Sequence, residues 1–176
     1  MLMEIHRNWK TFASLFIIFG PAQYIILTAV AMLFYAGGTL INPISPGYFF
    51  WGNFFSDLGR VIALSGAPNN ISFVIFTITA LILSISFIPF AFAITSFFKK
   101  DRKLYLIVRV GSLVCLSSII FLIGTILTPW DIFANTHLLF ANLFNLTGVL
   151  GIVFFTSQFF TTKIILTDTR SFILPY

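Results

Sequence analysis

Residues 71–98 read ISFVIFTITALILSISFIPFAFAITSFF, an apolar run without one charged side chain. Crossing a hydrocarbon core of about 30 Å takes about 20 helical residues at about 1.5 Å each, so this run is long enough to span a bilayer as a helix. The rest of the 176-residue chain resembles it. Only 9% of residues are charged, 59% are hydrophobic, and mean hydropathy is +1.02. A soluble domain carries about a quarter charged residues, so this composition excludes a soluble globular fold and a disordered one. The 24 Phe are spread along the whole chain. Embedding therefore involves the entire protein, and no soluble catalytic domain is left over.

Three further runs match it, giving expected spans at 11–35, 71–98, 104–128 and 137–162. The predicted fold is an all-α integral membrane protein, a single domain over 1–176 in which four helices bundle. Arg7 and Lys10 before an apolar stretch resemble a secretory signal, but the stretch runs past Pro21 and is too long for a cleaved one. Pro21 and Pro89 each remove a helix hydrogen bond and are expected to bend spans one and two. Residues 171–176, SFILPY, read as the start of a further span.

Basic residues set the orientation. Arg7, Lys10, Lys99, Lys100, Arg102, Lys103, Arg109, Lys163 and Arg170 fall on one side of the four spans, and only Arg60 falls on the other. The positive-inside rule then makes both termini and the turn at 99–103 cytoplasmic and turns the loops at 36–70 and 129–136 outward, with the plasma membrane as the expected location. The net charge of +5 follows from this distribution, so nucleic acid is not expected as a partner. The single Cys115 allows neither an internal disulfide nor a Cys-based zinc cluster.

The long first loop is the place to look for function. Residues 48–62, YFFWGNFFSDLGRVI, put Asn53, Asp57 and Arg60 at i, i+4 and i+7, with Ser56 beside them. As a helix the segment carries these on one face and Phe54, Phe55, Leu58, Val61 and Ile62 on the others. Gly52 and Gly59 weaken it, so an interfacial or re-entrant amphipathic segment broken at Gly59 is an equal expectation. Asp57 and Arg60 can simply pair while Asn53 and Ser56 satisfy the loop. Alternatively Arg60 receives an anionic head group, because a planar guanidinium suits phosphate.

A second polar group, Thr128-Pro129-Trp130-Asp131 to His137, lies on the same side. Three pairings are open: Asp57 with Arg60, Asp57 with His137, and Asp131 with His137. Asp131 can equally cap span four. Within the spans, Gln23, Asn142, Asn145 and Gln158 are expected to hydrogen-bond neighbouring helices, and Arg109 to snorkel to the cytoplasmic surface.

The run Asn53-Phe54-Phe55-Ser56-Asp57-Leu58-Gly59, then Asn69-Asn70 before a long apolar helix, then Thr128-Pro129-Trp130-Asp131 with His137 downstream, resembles an uncharacterised multi-pass membrane family, the domain of unknown function numbered nine-nine-eight. That family carries N-x-I-S-D-L-G after its first span and a later F-P-x-D with a following His, and it is similar to the FRAG, DRAM and Sfk group. The resemblance covers about residues 10–160. It implies that Asn53, Ser56, Asp57, Gly59, Asp131 and His137 are the positions that matter, and by analogy a role in lipid remodelling or organisation. Phe55 stands where the family often has Ile, and relatives usually have more than four spans.

The leading expectation is binding or organising lipid through Asn53, Ser56, Asp57, Arg60, Asp131 and His137. The alternatives are an intramembrane hydrolase or acyltransferase with Asp57, Asp131 and His137 as catalytic acid and base, or a structural subunit of a membrane complex or homo-oligomer. No cofactor or metal is expected: His6 and His137 are the only histidines, on opposite sides. Transport has little to line a path, since the spans carry almost no charge.

Overall fold

Four helices follow the apolar runs: α1 (Leu2–Leu33), α2 (Asn70–Thr95), α3 (Arg102–Ile126) and α4 (Trp130–Ile173). The computed structural model describes the backbone of residues 2–173 apart from 97 and 100, and the side chains of residues 9, 11–96, 98, 99 and 101–157. The chain is a four-helix membrane protein, its membrane-crossing segments being Thr11–Leu33, Asn70–Thr95, Arg102–Ile126 and Trp130–Ser157. Among the described residues there is no named strand. The side chains of His6, Arg7, Lys10, Lys100, Gln158, Lys163 and Arg170, and residues 174–176, lie outside the described residues. α4 continues to Ile173 rather than ending near 162.

Helix packs on helix in chain order: α1 on α2, α2 on α3 and α3 on α4. Among the described residues the first and last helices share little contact at most, so the bundle is an open arc. Small residues set the close approaches, as expected where lipid removes any hydrophobic drive between helices. A Cβ at Gly20 of α1 would sit 1.9 Å from the Ser86 hydroxyl of α2, and one at Gly124 of α3 would sit 2.7 Å from the Phe140 ring of α4. Gln23 ties α1 to α2 as expected: its amide N–H donates to the Thr79 carbonyl at 3.0 Å, while the Thr79 hydroxyl donates to its amide oxygen. Between α2 and α3 the Ser112 hydroxyl donates to the Ala91 carbonyl. Pro21 and Pro89 lie within continuous helices.

The loop between α1 and α2 folds over one end of the arc as a roof. It is held by a small core in which Leu58, fully buried, meets Ala31, Tyr35 and Ala63. Asn69, 1% exposed, is its hub. Its amide oxygen accepts the Ala36 N–H, and its amide nitrogen donates to the carbonyls of Leu58 and Arg60 at 3.2 and 3.0 Å. The Tyr35 hydroxyl accepts the Leu64 N–H at 3.1 Å. Gly38 has φ +86°, and a Cβ there would lie 2.1 Å from the Ser65 backbone nitrogen, so only glycine lets the two limbs of the roof cross.

Of the two equal expectations for 48–62, the continuous amphipathic helix is absent and the break at Gly59 is found. Only Phe55–Gly59 is helical, as one 3-10 turn, and Arg60 leaves it extended at φ −79°, ψ 143°. The physical reason lies in the polar residues that suggested the helix. The Asn53 side chain accepts the Phe49 N–H at 2.9 Å and that of Asp57 accepts the Phe54 N–H at 2.8 Å, which gives the backbone local partners other than a helix ladder.

Candidate functional site

Beneath the roof, the arc encloses a cavity of about 720 Å³, lined from all four helices and from the Phe54–Arg60 stretch. Tyr24 of α1, Phe76, Ala80 and Leu83 of α2, and Leu122 and Ile126 of α3 make its apolar walls. α4 contributes Leu138, Ala141, Asn142 and Asn145, the i, i+3, i+4, i+7 stripe of one helix face. α1 and α4 both line the cavity although little packing joins them among the described residues.

Of the six residues singled out from the sequence, Ser56, Asp57, Arg60 and His137 line this cavity, and Asn53 and Asp131 stand behind them. Asn53 is fully engaged: besides the Phe49 N–H, it donates to the Gly38 carbonyl at 2.9 Å and to Asp57 Oδ2 at 3.3 Å. Asp131 joins the two polar segments, its oxygens accepting the N–H groups of Val61 at 3.2 Å and Ile62 at 2.8 Å. It lies in the first turn of α4 but reaches across to the roof instead of capping its own helix.

None of the three side-chain pairings considered from the sequence forms. Asp57 accepts from Asn53 and Phe54, and Arg60 Nε donates to the Ile62 carbonyl at 3.1 Å. His137, 7% exposed, holds the Thr128 carbonyl through Nδ1 at 2.6 Å and meets the Trp130 ring edge-on at 5.4 Å. A carbonyl can only accept, so the proton of that bond sits on Nδ1 and Nε2 is left for the cavity. Among the described residues, the Ser56 hydroxyl, the terminal nitrogens of Arg60 and Nε2 of His137 take no protein partner. They are the unspent polar groups of the cavity mouth.

Asn142 and Asn145 were expected to join helices. They face the cavity instead, with no protein partner among the described residues. At about 1.5 Å per residue they stand about 7 and 12 Å below His137 along α4. Their spacing with Leu138 and Ala141 was the signal in the sequence. Burial pushes the Tyr48 hydroxyl up to about 12, with the Asp57 charge adding to the shift, and burial also raises that of Tyr35. Tyr48 donates to the Asn53 carbonyl at 3.3 Å, so a neutral phenol helps hold the polar loop. Among the described residues, no three His, Cys, Asp or Glu side chains converge as metal ligands would.

Fold and site together define a multi-pass membrane protein with a roofed cavity lined from all four helices. Compared with family models, curated proteins and solved structures, the chain finds no match.

Proposed function

We propose that the chain binds a membrane lipid, its head group at the mouth of the cavity and its chain along the apolar walls. The observation that carries this reading is the pairing of unspent polar groups, the donors of Ser56 and Arg60 and Nε2 of His137, with the apolar residues Phe76, Leu83, Leu122 and Ile126 in one space. Its volume of about 720 Å³ falls within the range of small-molecule sites, about 300–1,000 Å³. A guanidinium with free terminal nitrogens is the natural phosphate partner. The basic residues at the other end, Lys99, Arg102 and Lys103 among them, argue that the roof faces outward from the plasma membrane and the termini face the cytoplasm.

A hydrolase or acyltransferase built on Asp57, Asp131 and His137 has less support. Acid–base catalysis needs a base oriented by a partner. Here both Asp131 oxygens are spent on backbone N–H groups and Asp57 bonds Asn53 and Phe54, so neither carboxylate pairs with His137. Native mass spectrometry tests the reading. Lipid retained by the wild type is expected to be lost in Arg60→Ala, and Arg60→Lys to restore it only in part. Retention unchanged in Arg60→Ala contradicts lipid binding at this mouth. Lipid turnover that disappears in His137→Ala replaces binding by catalysis.

A further inference from the structure

The cavity mouth holds two opposite charges that do not neutralise each other. Asp57 is 5% exposed, yet only Oδ2 is engaged, by the Phe54 N–H and the Asn53 amide. Among the described residues Oδ1 takes no donor, it is not one of the walled-off polar atoms without a partner, and Asp57 is among the residues that line the cavity. Arg60 lines the same space with its terminal nitrogens free. On a continuous helix, residues three apart would pair. The 3-10 turn instead ends at Gly59, and Arg60 runs on in extended conformation, its Nε fixed to the Ile62 carbonyl. The fold thus keeps an acceptor and a planar donor apart in one pocket, with formal charges that sum to zero.

We infer that the head group taken here is zwitterionic and carries a primary ammonium, as in a phosphoethanolamine group: phosphate on Arg60 and Ser56, ammonium on Asp57 Oδ1. The inference rests on the lipid-binding reading above and names its ligand class. A purely anionic head group would bring a second negative charge beside a buried carboxylate and leave that carboxylate unpaired, which is costly. A quaternary ammonium supplies the charge without an N–H to donate. A primary ammonium supplies both.

The test is competition, read by native mass spectrometry, among phosphatidylethanolamine, phosphatidylglycerol and phosphatidylcholine of identical chains, with soluble phosphoethanolamine as a separate competitor. The wild type is expected to retain the ethanolamine lipid about tenfold over either other lipid, the scale of one charge-assisted hydrogen bond. Asp57→Asn keeps an oxygen for the Phe54 N–H but turns an N–H₂ toward the cavity, and is expected to shift the order toward phosphatidylglycerol. Displacement of the lipid by soluble phosphoethanolamine upholds the head-group chemistry and assigns it to a free source as well. Equal or better retention of phosphatidylglycerol by the wild type overturns the inference, whether or not Asp57→Asn folds. Binding that needs Arg60 but shows no preference overturns this inference alone, whereas binding indifferent to Arg60→Ala overturns the lipid reading beneath it.

Discussion

Asp131, at the start of α4, accepts the backbone N–H groups of Val61 and Ile62, 70 and 69 positions earlier in the chain. This one carboxylate pins the roof to the last helix and fixes the backbone immediately after Arg60. Asp131 is therefore a positioning residue, since it does not itself line the cavity. Asp131→Ala leaves two N–H groups without their charged acceptor, a loss of about 1–3 kcal/mol. Thermal unfolding in detergent is expected to fall by several degrees, at about 2–4 °C per kcal/mol for a chain of this size. Asp131→Asn, which keeps one acceptor, should recover part of both the stability and the lipid retention. Recovery of stability without any recovery of retention would confine Asp131 to a structural role.

Gly20 and Ser86 mark where α1 and α2 touch. A methyl at Gly20 would collide with both side-chain atoms of Ser86, at 1.9 Å from Oγ and 2.5 Å from Cβ. Gly20→Ala is expected to destabilise by about 1–3 kcal/mol, the usual cost of overpacking, and Ser86→Gly to offset much of it in the double variant. Additive losses in that cycle would show that the helices do not meet there.

Gln23 and Thr79 exchange two hydrogen bonds inside the bilayer. A double-mutant cycle with Gln23→Leu and Thr79→Val is expected to give a coupling of about 0.6 kcal/mol, and no more than about 1.7, as for other polar pairs between membrane helices. Zero coupling would contradict the pairing.

Tyr48 supplies a pH dependence. Its folded pKa of about 12 lies above the ordinary value of 10.0, chiefly through burial. Below the ordinary value both folded and unfolded chains hold the proton. Between that value and about 12 only the folded chain does, so stability falls as pH rises through this window. Unfolding midpoints of Tyr48→Phe should decline less steeply there than those of the wild type, with Tyr35 supplying part of the remaining slope. Identical slopes would place Tyr48 in water.

The four spans were legible because membrane helices announce themselves by length and apolarity alone. Each apolar run became a helix, with close ends for the middle two (expected 71–98, found Asn70–Thr95) and with extensions in the outer two, where α1 begins at Leu2 and α4 runs from Trp130 to Ile173. The roof was not legible in the same way. The spacing of Asn53, Asp57 and Arg60 matched a helix face, but the side chains of Asn53 and Asp57 bond the loop backbone itself, and a periodicity count carries no term for that. The convergence of the two polar segments on one side was readable from topology. The pairing was not: Asp131 found backbone N–H groups where a side chain had been expected. Asn142 and Asn145 read as helix glue because polar residues in spans usually are, and only the tertiary arrangement of the four helices gives them a cavity to face.

Photo-crosslinking in native membranes tests lipid occupancy of the cavity most directly. A benzophenone side chain at Leu138, on the cavity wall, is compared with one at Leu139, which is exposed on α4 and does not line the cavity. Lipid occupancy requires that Leu138 capture lipid of one narrow head-group class and that Arg60→Ala abolish this selectivity, while Leu139 captures the bulk lipid mixture in both backgrounds. A bulk mixture at Leu138, or a protein adduct there in place of lipid, contradicts it.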